Sequence, residues 1–206
     1  MVSTLLAHDL LWGMTPQQLP ADVPAWVIDS VSAGQPVVVR RALSTAGQVA
    51  VGVRGPLREQ RFATFMDVAA ITRRVRPEEL CRVQGRRDFP ALRALAQLRS
   101  HLDGSGWAWG VSGSAGFELA SGFDALHEGS DLDLILRTPS PLSRVDAQAL
   151  VAALDTAVCR VDLQLQTPFG AVALREWAGA SSRVLLKNAI QATLVTDPWS
   201  LQEQAA

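Results

Sequence analysis

Asp131 and Asp133 stand two residues apart at the head of an apolar run, Leu132, Leu134, Ile135 and Leu136. On a strand, residues i and i+2 share a face, so the two carboxylates point the same way with Cα atoms roughly 6–7 Å apart. Like charges held so close repel. Bound divalent metal is the most economical reason to keep both, because paired oxygen donors suit one hard cation or two ions about 4 Å apart. A solvent-facing edge strand is the plainer alternative. Upstream, Gly113-Ser114 closes one strand and opens a helix, offering free backbone N–H groups and a hydroxyl to phosphate oxygens. An ordinary N-cap role for Ser114 is compatible with that use. Downstream, Asp162 alternates with Val161, Leu163 and Leu165, either as the wet face of an amphipathic strand or as a third carboxylate beside the first two. If the two acidic strands are neighbours, the three form one cluster.

Other candidates lie further out. Arg54, Arg58 and Arg61 follow a Gly-containing turn and are candidates for phosphate or for an acidic partner, with solvated surface arginine as the alternative. Lys187, the only lysine, sits on an apolar segment, where it would reach a phosphate or snorkel at an element's edge. His127, in the loop before the acids, is the one histidine worth testing; His8 and His101 are dispersed. Most of the six tryptophans read as core, with one available to stack on a base.

The net charge of −1 argues against bulk nucleic-acid binding. Residues 1–100 carry 13 arginines against 8 acids, and residues 101–206 carry 6 basic residues against 12 acids. An acidic second half suits a metal site and a basic first half suits a polyphosphate or an acidic partner, chance partition being the bland reading. Cys81 and Cys159 lack metal or redox spacing and read as reduced thiols. With neither a leader-like N-terminus nor an apolar run of spanning length, the expectation is a cytoplasmic chain without a membrane segment.

The elements that must position these residues follow from periodicity. Residues 25–33 read as a short helix stopped by Gly34, and 36–40 and 48–53 as strands. Phe62, Phe65, Met66 and Ala69 have helical or irregular spacing. Residues 70–75 read as a strand, and 77–80 as a first helical turn. A polar GRRD stretch near Gln84 to Asp88 is the best linker. Asp88 is the expected cap of a helix carrying Leu92, Leu95, Leu98 and Leu102. Strands at 107–111 and around 131–136 flank a helix starting near Ala115. Helix 143–155 buries either Val145, Ala149, Ala152 and Ala153 or Leu150, Val151 and Leu154, before strand 161–166. The expected fold is α+β: a small N-terminal α+β domain, 1–84, and a catalytic domain, 85–206, with a mixed sheet flanked by helices.

The ordered set of Gly-Ser, apolar-Asp-apolar-Asp and a later apolar-Asp-apolar strand resembles the DNA polymerase β-like nucleotidyltransferases. Here sixteen residues separate Ser114 from Asp131, more than is usual there, with the excess in the 123–129 loop. WGVSGSAGFELASG, GSDLDLILR, RVDLQLQTPFGAVALREWA, HDLLW and VGVRG together resemble one family across nearly the whole chain. It is the malonate decarboxylase holo-acyl-carrier-protein synthase, or phosphoribosyl-dephospho-coenzyme A transferase, family. The resemblance implies transfer from 2′-(5″-triphosphoribosyl)-3′-dephospho-coenzyme A to a serine of the apo acyl-carrier subunit of malonate decarboxylase, with release of diphosphate. It also implies Mg²⁺ held by Asp131 and Asp133, Asp162 as base or third ligand, and Gly113 and Ser114 around the leaving diphosphate. The alternative is another nucleotidyltransferase of this superfamily using ATP as donor on a small molecule or protein.

Overall fold

The computed structural model describes residues 4–200. In chain order the elements are β1 (Leu10–Trp12), α1 (Ala25–Ser32), β2 (Val37–Val39), β3 (Gln48–Arg54), β4 (Arg61–Asp67) and β5 (Arg73–Val75), then α2 (Pro90–Gly104), β6 (Ala108–Val111) and α3 (Gly113–Ser121). They continue with β7 (Leu132–Arg137), α4 (Arg144–Leu154), β8 (Val161–Thr167), β9 (Gly170–Ala173), α5 (Leu174–Ala178), β10 (Val184–Lys187) and β11 (Ala192–Val195). Two sheets result, in the orders β4-β3-β2-β1-β5 and β11-β10-β9-β8-β7-β6. The first is antiparallel throughout. In the second, only β7 and β8 run parallel. A parallel pair needs a crossover, and α4 supplies it.

The expected α+β class is the observed one, and most elements fall where their periodicity puts them. Residues 62–69 differ: they are chiefly strand β4, in which Thr64 and Met66 are buried and Phe65 is exposed. A polar residue at an inward position hides the two-residue period. Asp88 does not cap α2; Phe89 is the N-cap, Pro90 opens the helix, and Asp88 pairs with Arg93 at 3.0 Å. On α4, Val145 is exposed, and Leu150, Val151 and Leu154 pack on the core. Ser143 caps this helix by accepting from the Asp146 N–H.

Strand β7 lies between β6 and β8, and Leu132, Leu134, Ile135 and Leu136 are all buried, as a strand covered on both faces requires. The first unit lends residues to the second core. Leu11 packs with Val27, Val51 and Met66, while Leu10, next along the same strand, joins Leu98, Trp109 and Leu132. The 3₁₀ turn Pro77–Leu80 packs on β6, and Leu80 and Cys81 are buried in that second core too. Strand β1 is therefore shared between two cores. Among the described residues no helix is long and apolar enough to cross a membrane.

Candidate active site

The parallel register sets Asp133 beside Asp162, and the next outward pairs on the same face are Ile135 with Gln164 and Arg137 with Gln166. That face looks onto the N-terminal unit. At its aspartate end a cleft of about 630 Å³ is lined by Asp131, Asp133, Asp162, Gly113 and Ser114 from one side and by Arg54, Arg58 and Arg61 from the other. Eight of the nine residues singled out by sequence thus come together. Lys187 does not. It lies on β10, two strands beyond β8, and pairs with Ala171 of β9 at the end of the sheet opposite the aspartates, where it is solvent-exposed.

Backbone shape accounts for Gly113. It has a φ of 60°, in the left-handed region, and a Cβ there would overlap the Asp133 carboxylate. Any side chain would push Asp133 away from the turn. Ser114 Oγ accepts from Arg54 Nη2 at 2.9 Å, and the same nitrogen donates to Ala125 O at 3.1 Å. The Arg54 guanidinium also lies 5.4 Å from the Phe117 ring centre. Arg54 therefore ties the N-terminal sheet to the Gly-Ser turn and to the loop before the acids. Burial lowers its pKa to about 10, with Arg61 adding like-charge repulsion, so it remains cationic at neutral pH.

Asp133 carries the strongest acid perturbation of the site. Burial first, then the charges of Asp162 and Asp131, push its pKa up to about 6. Asp162 accepts from Arg160 Nε and Nη2 at 3.3 and 3.1 Å. His127 lines the cleft and accepts the Gly129 N–H on Nδ1. Among the described residues, no tryptophan lines this cleft or the second one described below.

The all-oxygen set fits a hard divalent cation, whose charge would relieve the repulsion felt at Asp133. Among the described residues no group of three His, Cys, Asp or Glu side chains converges closely enough to hold a metal alone.

Glu118 was not singled out from the sequence. It is the only charged residue between Trp107 and Phe123, an isolation that asks for a partner. On α3 its buried carboxylate takes Arg87 at 2.6 and 3.1 Å and the N–H groups of Ala125 and Leu126 at 2.9 Å each. Burial alone would raise its pKa, but Arg87 and the two N–H groups outweigh it and hold the carboxyl below its ordinary value. Glu118 thus clamps the extended loop to the helix that Gly113 opens. Glu118→Ala strands two backbone donors, each worth about 1 kcal/mol or more. The expected outcome is a melting temperature several degrees lower and a KM for the donor raised more than kcat is reduced, read by calorimetry and steady-state kinetics.

Carboxylates and arginines facing each other across a cleft, with a Gly-Ser turn between them, are an arrangement suited to an enzyme acting on phosphates. Two family profiles divide the chain. The one described as phosphoribosyl-dephospho-CoA transferase MdcG N-terminal domain matches residues 6–77, and its C-terminal counterpart matches residues 79–198. Full-length relatives agree. A Pseudomonas fluorescens phosphoribosyl-dephospho-CoA transferase is 70% identical over 206 residues, covering 100% of both chains. One from Azotobacter vinelandii is 55% identical over 197 residues, covering 93% of each. No solved structure matches the chain significantly. The chain belongs to the phosphoribosyl-dephospho-CoA transferase family, and it is a transferase.

Proposed function

We propose that this enzyme transfers the phosphoribosyl-dephospho-coenzyme A group from 2′-(5″-triphosphoribosyl)-3′-dephospho-coenzyme A to a serine hydroxyl of the apo acyl-carrier subunit of malonate decarboxylase. Family membership supports the donor. The observation that carries the chemistry is Asp133 abreast of Asp162, facing Arg54 on Ser114 across one cleft.

The serine oxygen forms a bond to the α-phosphorus, the α–β bridging bond breaks, and diphosphate departs with that electron pair. Ser114 and the backbone at Gly113 receive the leaving diphosphate, and Arg54, Arg58 and Arg61 neutralise it. Asp162, held by Arg160, takes the serine proton. Asp131 and Asp133 hold Mg²⁺, which supplies charge neutralisation on the phosphate oxygens when bound. The chain contributes no nucleophile, so positioning and electrostatics account for the rate.

Mass spectrometry of the apo acyl-carrier subunit after incubation with enzyme, donor and Mg²⁺ tests the proposal. The expected result is a gain equal to the phosphoribosyl-dephospho-coenzyme A group on one serine. A gain of an adenylyl group from ATP, with the triphosphoribosyl donor left untouched, would overturn it.

A further inference from the structure

The β7/β8 face that carries the aspartates continues past them. Four residues along β8 from Asp162, roughly 13 Å at strand rise, Gln166 stands beside Arg137. There a second cleft of about 620 Å³ opens between the sheets. Its polar lining includes Arg40, Arg41, Arg137 and Gln166, and among the described residues no acid lines it. Glu78 satisfies Arg137 Nε at 2.7 Å, whereas Arg41 donates at 3.0 Å to the neutral Gln166 Oε1. Burial and the nearby charge of Arg137 both lower the Arg41 pKa, a sign of positive charge in excess. Among the described residues, Arg137 Nη2 and Gln166 Nε2 are buried without a hydrogen-bond partner. Unfilled donors beside surplus positive charge suit an anionic ligand. Val39, Pro168 and Phe169 give the same cleft an apolar wall.

Arg40 lines both clefts, and its side chain makes no hydrogen bond or ion pair among the described residues. The two clefts are therefore neighbouring stations on one sheet face, joined at an arginine.

We propose that the second cleft binds the dephospho-coenzyme A half of the donor, its diphosphate on Arg40 and Arg41 and its pantetheine arm along Val39, Pro168 and Phe169. This rests on the transfer reading above, which requires a donor with two anionic groups, a triphosphate and a coenzyme diphosphate, separated by two riboses. One cleft for each group fits a molecule too long for the aspartate cleft alone. The arrangement would also discriminate against ATP, whose single polyphosphate leaves the second cleft empty.

The test is calorimetric titration of the full chain with two probes, dephospho-coenzyme A and tripolyphosphate in Mg²⁺. Ala189 is an exposed small residue on the rim of the second cleft, so Ala189→Trp fills the cleft without touching a core. Expected are saturable dephospho-coenzyme A binding by the wild type, at least tenfold weaker binding by Ala189→Trp and by Arg40→Ala, and unchanged tripolyphosphate binding by Ala189→Trp. Undiminished dephospho-coenzyme A binding by both variants would overturn the assignment. So would a rise in the carrier-subunit KM of Ala189→Trp with coenzyme binding intact, which would give the cleft to the protein partner. A wild type that binds dephospho-coenzyme A in this cleft yet fails to load the carrier would leave the assignment standing and sink the transfer reading instead.

Discussion

Asp133→Asn is expected to reduce transfer roughly 10²–10³-fold while making the protein without metal more stable at neutral pH. Both effects come from one buried charge. The native chain holds the Asp133 proton up to about pH 6 because burial and the neighbouring Asp162 and Asp131 oppose ionisation. The unfolded chain releases it near pH 4. Between those values the native state binds more protons than the unfolded state, so stability falls as pH rises and stays lowered above pH 6. The loss is on the order of 2–3 kcal/mol at pH 7. An asparagine side chain at this position carries no such charge. Buried His8, whose pKa is lowered to about 4, gives both proteins an opposite contribution that rises with pH, so the Asp133 effect is read as a difference. Without metal, the melting temperature of the variant should gain on that of the wild type between pH 4 and pH 6 and stay ahead up to pH 8. Saturating Mg²⁺ should restore the wild type's stability at pH 7 and leave the variant nearly unmoved. A variant less stable than the wild type at pH 7 would contradict the account.

This opposition of stability and activity is characteristic of a built site. The Asp133 carboxylate is kept at a cost to the fold, and the surrounding core makes it tolerable: Leu132, Leu134 and Leu136 anchor β7 from behind. That anchoring was legible in the sequence, since alternation alone placed Asp133 on one face and the leucines on the other. Asp162 stood out by the same apolar-acid-apolar pattern, but only the parallel β7/β8 register sets it beside Asp133. Topology was not legible. Lys187 sits on a strand as its apolar neighbours suggest, but strand order and direction decide which end of the sheet it reaches, and it reaches the wrong end for the aspartates.

The role of the N-terminal unit was only half visible. Its arginines stood out by type, yet a spacing argument cannot say that β1 would serve two cores with adjacent residues, Leu10 and Leu11. Nor could it join Arg87 to Glu118 across 31 residues, because an ion pair between a linker and a helix has no period. The N-terminal unit supplies one wall of the candidate cleft through Arg54, Arg58 and Arg61.

Arg54→Ala is the sharpest probe of that wall, with an expected loss of roughly 100-fold in kcat/KM. The side chain leaves β3 in the first sheet and ends on Ser114 and Ala125 of the second unit, over Phe117. Removing it frees the Ser114 hydroxyl and the Ala125 carbonyl, so some thermal destabilisation is expected as well. A merely structural role would stop there. Arg54 also lies close enough to Asp133 to favour its ionised form. Without that cation the Asp133 titration should move further up, and the acid limb of the pH–rate profile should shift to higher pH in Arg54→Ala. Arg54→Lys keeps the charge but loses the fork that reaches two oxygens from one guanidinium. It should restore the acid limb to its wild-type position while recovering only part of the rate. If the acid limb stays put in Arg54→Ala, then Arg54 acts on the Gly-Ser turn alone and its charge plays no part in setting the ionisation of the carboxylates.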